Sequence, residues 1–409
     1  MDFNAALAVS AGTVFVLGIV AGYVKSRLWV SETTICLALG ILIGPSAWRL
    51  IDLADLPVDR FTLLKEVARV TLAIAVMGAA LRLPTRYELN RLRDLVVALA
   101  IGLPLMWITS ALLAYLILGA PLLTALLIGA ALAPTDPVVA GSITGGQLAE
   151  ARLPDRLRHL LTAESGANDG LALLFVMLAI LLLTKAPPEA LSEWIVRVFL
   201  WEICGAIAIG LAAGWLAGRL LSWAYKQPFT ENPSTITVGL ALSLTVLAGV
   251  RLIGSDGILA VFAAGLMLNR VVTERQTRHE HMQEAISRFF DLPVFILIGL
   301  MLPWSAWGNL GWPGVVFAAA ILLLRRLPWW LALCPLTREM KTVRDAAFLG
   351  WFGPIGVATT YYAVLSQEEA GIDLWPILSL VVFASVVVHG LSATPLTQAM
   401  RPETENRSA

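Results

Sequence analysis

Runs of about 20 apolar residues, each closed by a short charged stretch, recur along the whole of this sequence. That is the length a helix needs to cross about 30 Å of hydrocarbon. In lipid every backbone N–H and C=O must be satisfied internally, so repeated runs of this kind restrict the chain to packed helices. Composition points the same way. Of the 409 residues 58% are hydrophobic and 14% charged, against about a quarter charged in a soluble domain. No stretch is left over for a large soluble domain, and the fold class read here is an all-α polytopic membrane protein.

Thirteen runs can be counted, centred near Thr13, Leu39, Ile74, Trp107, Pro134, Leu173, Ile207, Leu242, Val261, Ile296, Leu322, Phe352 and Val382. The connections between them alternate in charge. One set is basic: Lys25 and Arg27, Arg82 to Arg93, Arg152 to Arg158, Arg219 and Lys226, Arg270 to Arg278, Arg338 to Arg344, and Arg401 with Arg407. The other is poor in base: Asp52 to Asp59, Glu189 and Glu193, Asp256, and Glu368 to Asp373. Lys and Arg mark the cytoplasmic side, which predicts the N-terminus outside and residues 401–409 as a short cytoplasmic tail. An odd number of spans requires opposite sides, in agreement. The first apolar run has an acid and no basic residue before it, so it reads as a retained helix, not a cleaved signal. Cys36, Cys204 and Cys334 lie in apolar runs without a CxxC spacing, which argues against disulfides and thiolate metal sites. Net charge is zero, so the total says nothing about partners, and no nucleic-acid partner is expected. No cofactor motif stands out.

Polar residues inside lipid are costly and mark function by default. They concentrate in four spans. The fifth places Thr135 and Asp136 between Pro134 and Pro137; prolines so close remove backbone donors and clash with the preceding turn, so the helix must break there. The sixth opens with TAESGANDG, residues 162–170. On a helix Ser165 and Asp169 share one face, Glu164 and Asn168 the adjoining one, while Gly166 and Gly170 permit close approach of a neighbour. The twelfth is interrupted by Gly353, Pro354 and Gly356. The fifth and twelfth spans run in opposite directions, seven spans apart, as do the second and ninth. This is the pattern of an inverted repeat with two broken helices crossing at mid-membrane, where transporters place ion sites. Arg325 and Arg326 sit in mid-span in the eleventh and need an opposite charge; Glu164 is the acid the site can spare.

Each residue has a structural and a functional reading. For Asp169 and Asp136 the functional one is favoured. Glu164 with Arg326 reads as a structural pair, since a buried pair fixes packing but carries nothing. Thr135 and Ser165 could bond back to their own helix, yet they adjoin the acids and are read as ligands. His389 reads as packed in preference to a proton relay. Asp291 and Arg288 read as an interfacial pair of little weight, and Trp223, Trp304, Trp312, Trp351 and Trp375 mostly as headgroup-belt residues.

APTDPV on one span and ESGANDG on the next resemble the monovalent cation:proton antiporters, in the sodium/proton exchanger branch. The likeness runs over nearly the whole chain and includes SDGILAVFAAGLMLNR at 255–270 and GWFGPIGVATTYYA at 350–363. It implies an inverted-repeat antiporter fold and the electroneutral type with Asn168 before Asp169. It also implies Asp169 as carrier of proton or cation, with Asp136, Ser165 and the backbone near Thr135 completing a Na⁺ site, and Glu164 paired with an arginine of the eleventh span. Two domains are implied, a moving core (about 94–185 and 312–398) and a dimer or gate domain (about 5–83 and 191–303), in a homodimer. The chain departs from many members at two places. Ile355 stands where they have arginine after GP, and Val76 and Met77 stand where they have a glutamate in the third span.

The function expected is secondary exchange of Na⁺ or Li⁺ for H⁺, one for one, by competition at a buried carboxylate in a bacterial inner membrane, with no enzymatic activity. The alternative is a K⁺/H⁺ antiporter of the same fold. Less favoured are an organic-anion symporter, which would show more cationic groups at the site, and an intramembrane aspartyl protease, whose two acids would share a proton at close range.

Overall fold

A computed structural model describes residues 8–9, 11–19, 27, 29–53, 58–227, 234–272 and 280–400. The predicted tail 401–409, Lys25, Asp55, Arg275 and Arg278 lie outside the described residues. The described residues are helical, with no strand among them. After a helix over 11–19 come α1 (Glu32–Ile43), α2 (Arg60–Arg82), α3 (Leu92–Leu118), α4 (Leu122–Leu132), α5 (Pro137–Thr144) and α6 (Asp155–Thr184). The second half holds α7 (Pro187–Ala224), α8 (Thr235–Leu252), α9 (Gly257–Val271), α10 (Glu280–Leu300), α11 (Trp304–Leu324), α12 (Leu327–Leu333), α13 (Val343–Trp351), α14 (Val357–Ala370) and α15 (Trp375–Ala399). Six helical stretches among the described residues are long and apolar enough to cross a membrane, and four shorter apolar helices accompany them. Every one of the thirteen predicted centres falls in a helix or at a helix break.

Small residues bring the helices of the second half together. Gly210, Gly214 and Gly218 recur every fourth residue of α7 and face Ala260, Ala264 and Val271 of α9. In lipid such stripes allow the van der Waals packing that replaces the hydrophobic effect. Helix α9 also packs on α2, and α2 on α10, which in turn lies along α1. A second group joins α3 to α4, α4 to α6, α11 to α15, and α12 to α13. Helix α2 meets α6 and α14, and α9 meets α6, between the two groups.

The two breaks fall where the prolines and glycines require. Helix α4 ends at Leu132 and α5 begins at Pro137; α13, opened by a Thr342–Asp345 capping box, ends at Trp351, and α14 begins at Val357. The breaks cross and are bonded to each other: the Asp136 N–H donates to the Pro354 carbonyl at 2.8 Å. The Thr359 hydroxyl donates to the Ala131 carbonyl at 2.7 Å. Of the tryptophans read as belt residues, Trp223, Trp304 and Trp312 are exposed. Trp375 is instead buried, donating to the Met301 carbonyl, and Trp351 donates to the Ser392 hydroxyl. Their indole N–H groups bond to neighbouring helices, so both tie helices together.

Candidate functional site

Four half-helix ends meet at the crossing: the N-termini of α5 and α14 and the C-termini of α4 and α13. Their backbone groups lack helical partners and carry partial charges. One acid serves both N-termini. Asp136 Oδ1 accepts from Val138 N (2.8 Å) and Val139 N (3.0 Å), and its Oδ2 accepts from Val357 N. One base serves both C-terminal ends. Arg325 Nη1 donates to the carbonyls of Leu132 (2.6 Å), Ala133 (3.0 Å) and Pro134 (2.9 Å), and its Nη2 donates to Gly353 O. Arg325, grouped with Glu164 from sequence, therefore spends its guanidinium on backbone. The fork of five donors suits this, because one planar group can reach two helix ends.

Arg326 makes the ion pair. Its Nη1 lies 2.6 Å from Glu164 Oε1 and its Nη2 2.8 Å from Oε2, a bidentate contact between fully buried groups. Nη1 also donates to the Thr135 hydroxyl at 2.9 Å, and Nε to the Leu349 carbonyl at 2.8 Å. Thr135 is thus held by the arginine at its side chain. Asn168 ties the same group together: its amide N donates to Glu164 Oε1 at 3.0 Å, and its Oδ1 accepts from Thr135 N at 3.2 Å. Ser165 donates back to the Thr162 carbonyl at 3.2 Å, the local bond open to any helical serine, and leaves its oxygen lone pairs for other use.

Asp169 differs from all of these. Both of its carboxylate oxygens are buried and neither has a hydrogen-bond partner among the described residues. Its backbone carbonyl accepts from the Tyr362 hydroxyl of α14, which fixes the turn of α6 that bears it. Among the described residues the charged groups near enough to act on it are Asp136, Glu164 and Asp256, all acids. Counted by charge, Asp136 is matched by three N–H groups, Glu164 by Arg326 and Arg325 by four carbonyls. Asp169 is left with negative neighbours and no donor, a condition a buried carboxylate tolerates only when a proton or cation joins it.

The glycines of the twelfth span follow from these contacts. A Cβ on Gly356 would collide with Asp136 Oδ2, and one on Gly353 with Cδ and Nε of Arg326. Gly166 and Gly170 of α6 face Phe262 and Leu259 of α9, with Asp256 Oδ2 3.0 Å from the position a Gly170 Cβ would take.

Several contributors have no signal in the sequence beyond their polarity. Ser385 Oγ accepts from Ile355 N at 2.7 Å and lies 3.0 Å from His389 Nδ1. His389 Nε2 lies 3.0 Å from the Trp351 carbonyl. With Nε2 donating, one relay of bonds braces both sides of the α13–α14 break. Ile355, Val76 and Met77, where many resembling sequences carry charge, are buried among apolar groups. Asp291, read as interfacial, is 8% exposed.

A family model described as "Sodium/hydrogen exchanger, transmembrane" matches residues 12–399. The chain belongs to the sodium/hydrogen exchanger family. It is an integral membrane transporter and not an enzyme. It is 32% identical over 396 residues to a Na(+)/H(+) antiporter of Schizosaccharomyces pombe, covering 90% of this chain and 84% of that one. To the Na(+)/H(+) antiporter 2 of Zygosaccharomyces rouxii it is 28% identical, over 92% of this chain and 50% of the relative, and so spans about half of it. To the K(+)/H(+) antiporter NhaP2 of Shewanella sp. (strain MR-4) it is 25% identical, over 93% of this chain and 64% of the relative. The solved sodium proton antiporter MjNhaP1 from Methanocaldococcus jannaschii superposes over 100% of both chains with a TM-score of 0.77 at 19% identity. At that identity the match is one of fold, and the exchanger has the inverted-repeat antiporter fold with two crossing broken helices.

Proposed function

We propose that this exchanger moves one Na⁺ or Li⁺ against one H⁺ across a cell membrane, by competition of the two for Asp169. The observation that carries the reading is that Asp169 alone, of the acids at the crossing, has two buried oxygens and no donor. Hard oxygen ligands suit a small monovalent cation. A cation reaching the carboxylate displaces its proton, and a proton displaces the cation. Access from one face at a time then makes the two movements an exchange. Ser165 Oγ and the Thr135 region supply neutral oxygens beside the carboxylate, while Asp136 acts through the helix ends it caps. Asn168 and Glu164 hold the break in place through Thr135.

The same reading has thirteen crossings, the N-terminus outside and a cytoplasmic C-terminus, supported by the alternation of basic loops. We place the protein in the bacterial inner membrane, as a homodimer in which a core (about 94–185 and 312–398) moves against a gate (about 5–83 and 191–303). The two packing groups of helices support that division. A second reading, K⁺ as the cation, is favoured by the likeness to NhaP2 of Shewanella. The test is dequenching of a pH dye in inverted vesicles on addition of Na⁺, Li⁺ or K⁺. Dequenching with Na⁺ and Li⁺ that disappears in Asp169→Asn, with the variant still inserted and folded, is the expected result. Dequenching by K⁺ alone selects the second reading. Exchange that survives Asp169→Asn removes Asp169 as carrier.

A further inference from the structure

A second buried carboxylate faces the crossing from the other group of helices. Asp291 lies in α10, about 16 Å along the helix from Glu280 at 1.5 Å per residue. It is 8% exposed, and its Oδ1 has no hydrogen-bond partner among the described residues. Among the described residues the charged groups near enough to act on it are Arg82 and Asp136. Arg82 is the last residue of α2, and its Nη2 lies 3.8 Å from where a Gly141 Cβ of α5 would sit. The Thr71 hydroxyl of α2 donates to the Phe290 carbonyl at 3.2 Å, fixing α10 against α2 beside the acid. Asp291 therefore looks from α10 toward α5, on the side of the crossing where α2 ends in Arg82.

An acid so placed carries a cost at Oδ1. A buried carboxylate oxygen without a donor forfeits its hydration. Asp136 cannot relieve it, being an acid already saturated by three N–H groups. Helix α2 supplies no second acid at this depth, since its buried residues from Thr71 to Ala80 are uncharged. Pro293, two residues on, removes the N–H that would close on the Phe289 carbonyl. A spare hard oxygen is left in the same turn.

We infer that Asp291 is a cation- and proton-receiving carboxylate on the cytoplasmic half of the pathway, contributed by α10 and loaded before Asp169. It takes the ions Asp169 takes, a hard monovalent cation or a proton. Arg82 holds its charge in place while the site is empty and gives way to the incoming cation. The inference rests on Asp169 as the carrier and adds a station ahead of it.

The experiment compares Asp291→Asn, Asp291→Glu and Asp169→Asn with the parent in inverted and right-side-out vesicles. KM for Na⁺ and Li⁺ is measured from each face across a pH series, and melting is followed in detergent. Asp291→Asn should raise KM at the cytoplasmic face by about tenfold and flatten the pH dependence there. KM at the outer face should stay within about twofold. Asp291→Glu should restore the cytoplasmic KM. An unchanged cytoplasmic KM in Asp291→Asn overturns the inference. So does an equal loss at both faces with lower melting that Glu does not rescue, which makes Asp291 a packing residue. If Asp169→Asn is inert while Asp291→Asn matches the parent, only this inference fails; if Asp169→Asn still exchanges, the carrier assignment fails first.

Discussion

Glu164 and Arg326 are fully buried, and each satisfies the other at two contacts. Replacing Glu164 with Ala strands a guanidinium that keeps neutral partners alone, the Thr135 hydroxyl, the Leu349 carbonyl, the Met106 sulfur and the Trp330 ring. In soluble proteins a stranded buried charge costs about 3–5 kcal/mol. Glu164→Ala should therefore melt several degrees lower in detergent while the cation KM of the surviving protein changes little. A parent-like melting curve with a large rise in KM would instead make Glu164 a ligand. Arg325 makes a sharper case. Arg325→Lys keeps the charge but replaces a planar fork by a single ammonium, which cannot hold Leu132–Pro134 and Gly353 together. It should lose most transport, and its melting temperature should fall toward that of Arg325→Ala. Lys performing like Arg in a flux assay would show that charge, and not the two-ended cap, is what the crossing needs.

Among the elements, the α13–α14 break is held at its glycines. A methyl group at Gly356 meets Asp136 Oδ2, which caps α5 and α14 at once. Gly356→Ala has to push the two half-helices apart, so it should express and insert yet lose exchange by tenfold or more, about 1.4 kcal/mol of barrier at least. Full activity in Gly356→Ala would mean the crossing relaxes without consequence. Ser385→Ala is the milder probe. It leaves the buried Ile355 N–H without an acceptor, at about 1–3 kcal/mol. Lower thermal stability with Na⁺ dependence intact is the expected result, and a shift in ion preference would contradict it.

For the whole molecule the arrangement of charge sets the stoichiometry. At the crossing Asp136 is committed to three N–H groups and Glu164 to Arg326, while Asn168 has no ionisable group. One carboxylate then cycles, one proton moves against one cation, and no net charge crosses. A membrane potential is worth about 2.3 kcal/mol per charge per 100 mV, so an electroneutral cycle should ignore it. In proteoliposomes clamped by K⁺ and valinomycin, the rate of Na⁺- or Li⁺-driven proton movement should stay flat with voltage. A reversal potential fitting two protons per cation would move Asp136, or Asp291, into the set of cycling acids.

Much of this was legible in the chain itself. Apolar run length imposes helices, because lipid offers no partner for free backbone groups. Pro134 with Pro137, and Gly353 with Pro354, fix where two of the helices break, because neither pair lets a helix continue unaltered. The expense of an acid in hydrocarbon singles out Asp169, Asp136 and Glu164 before any contact is known. What those residues do to one another was not legible, since partners lie up to 221 residues apart in sequence and adjacent ones diverge. Arg325 and Arg326 are neighbours in the chain, yet the turn between α11 and α12 sends one to four carbonyls and the other to Glu164. Asp291 and Asp136 are both acids near proline; only tertiary packing leaves Oδ1 of Asp291 without a donor and surrounds Asp136 with N–H groups. Hydrogen bonding is directional and short in range, so tertiary structure alone decides which buried charge is satisfied and which is kept for an ion.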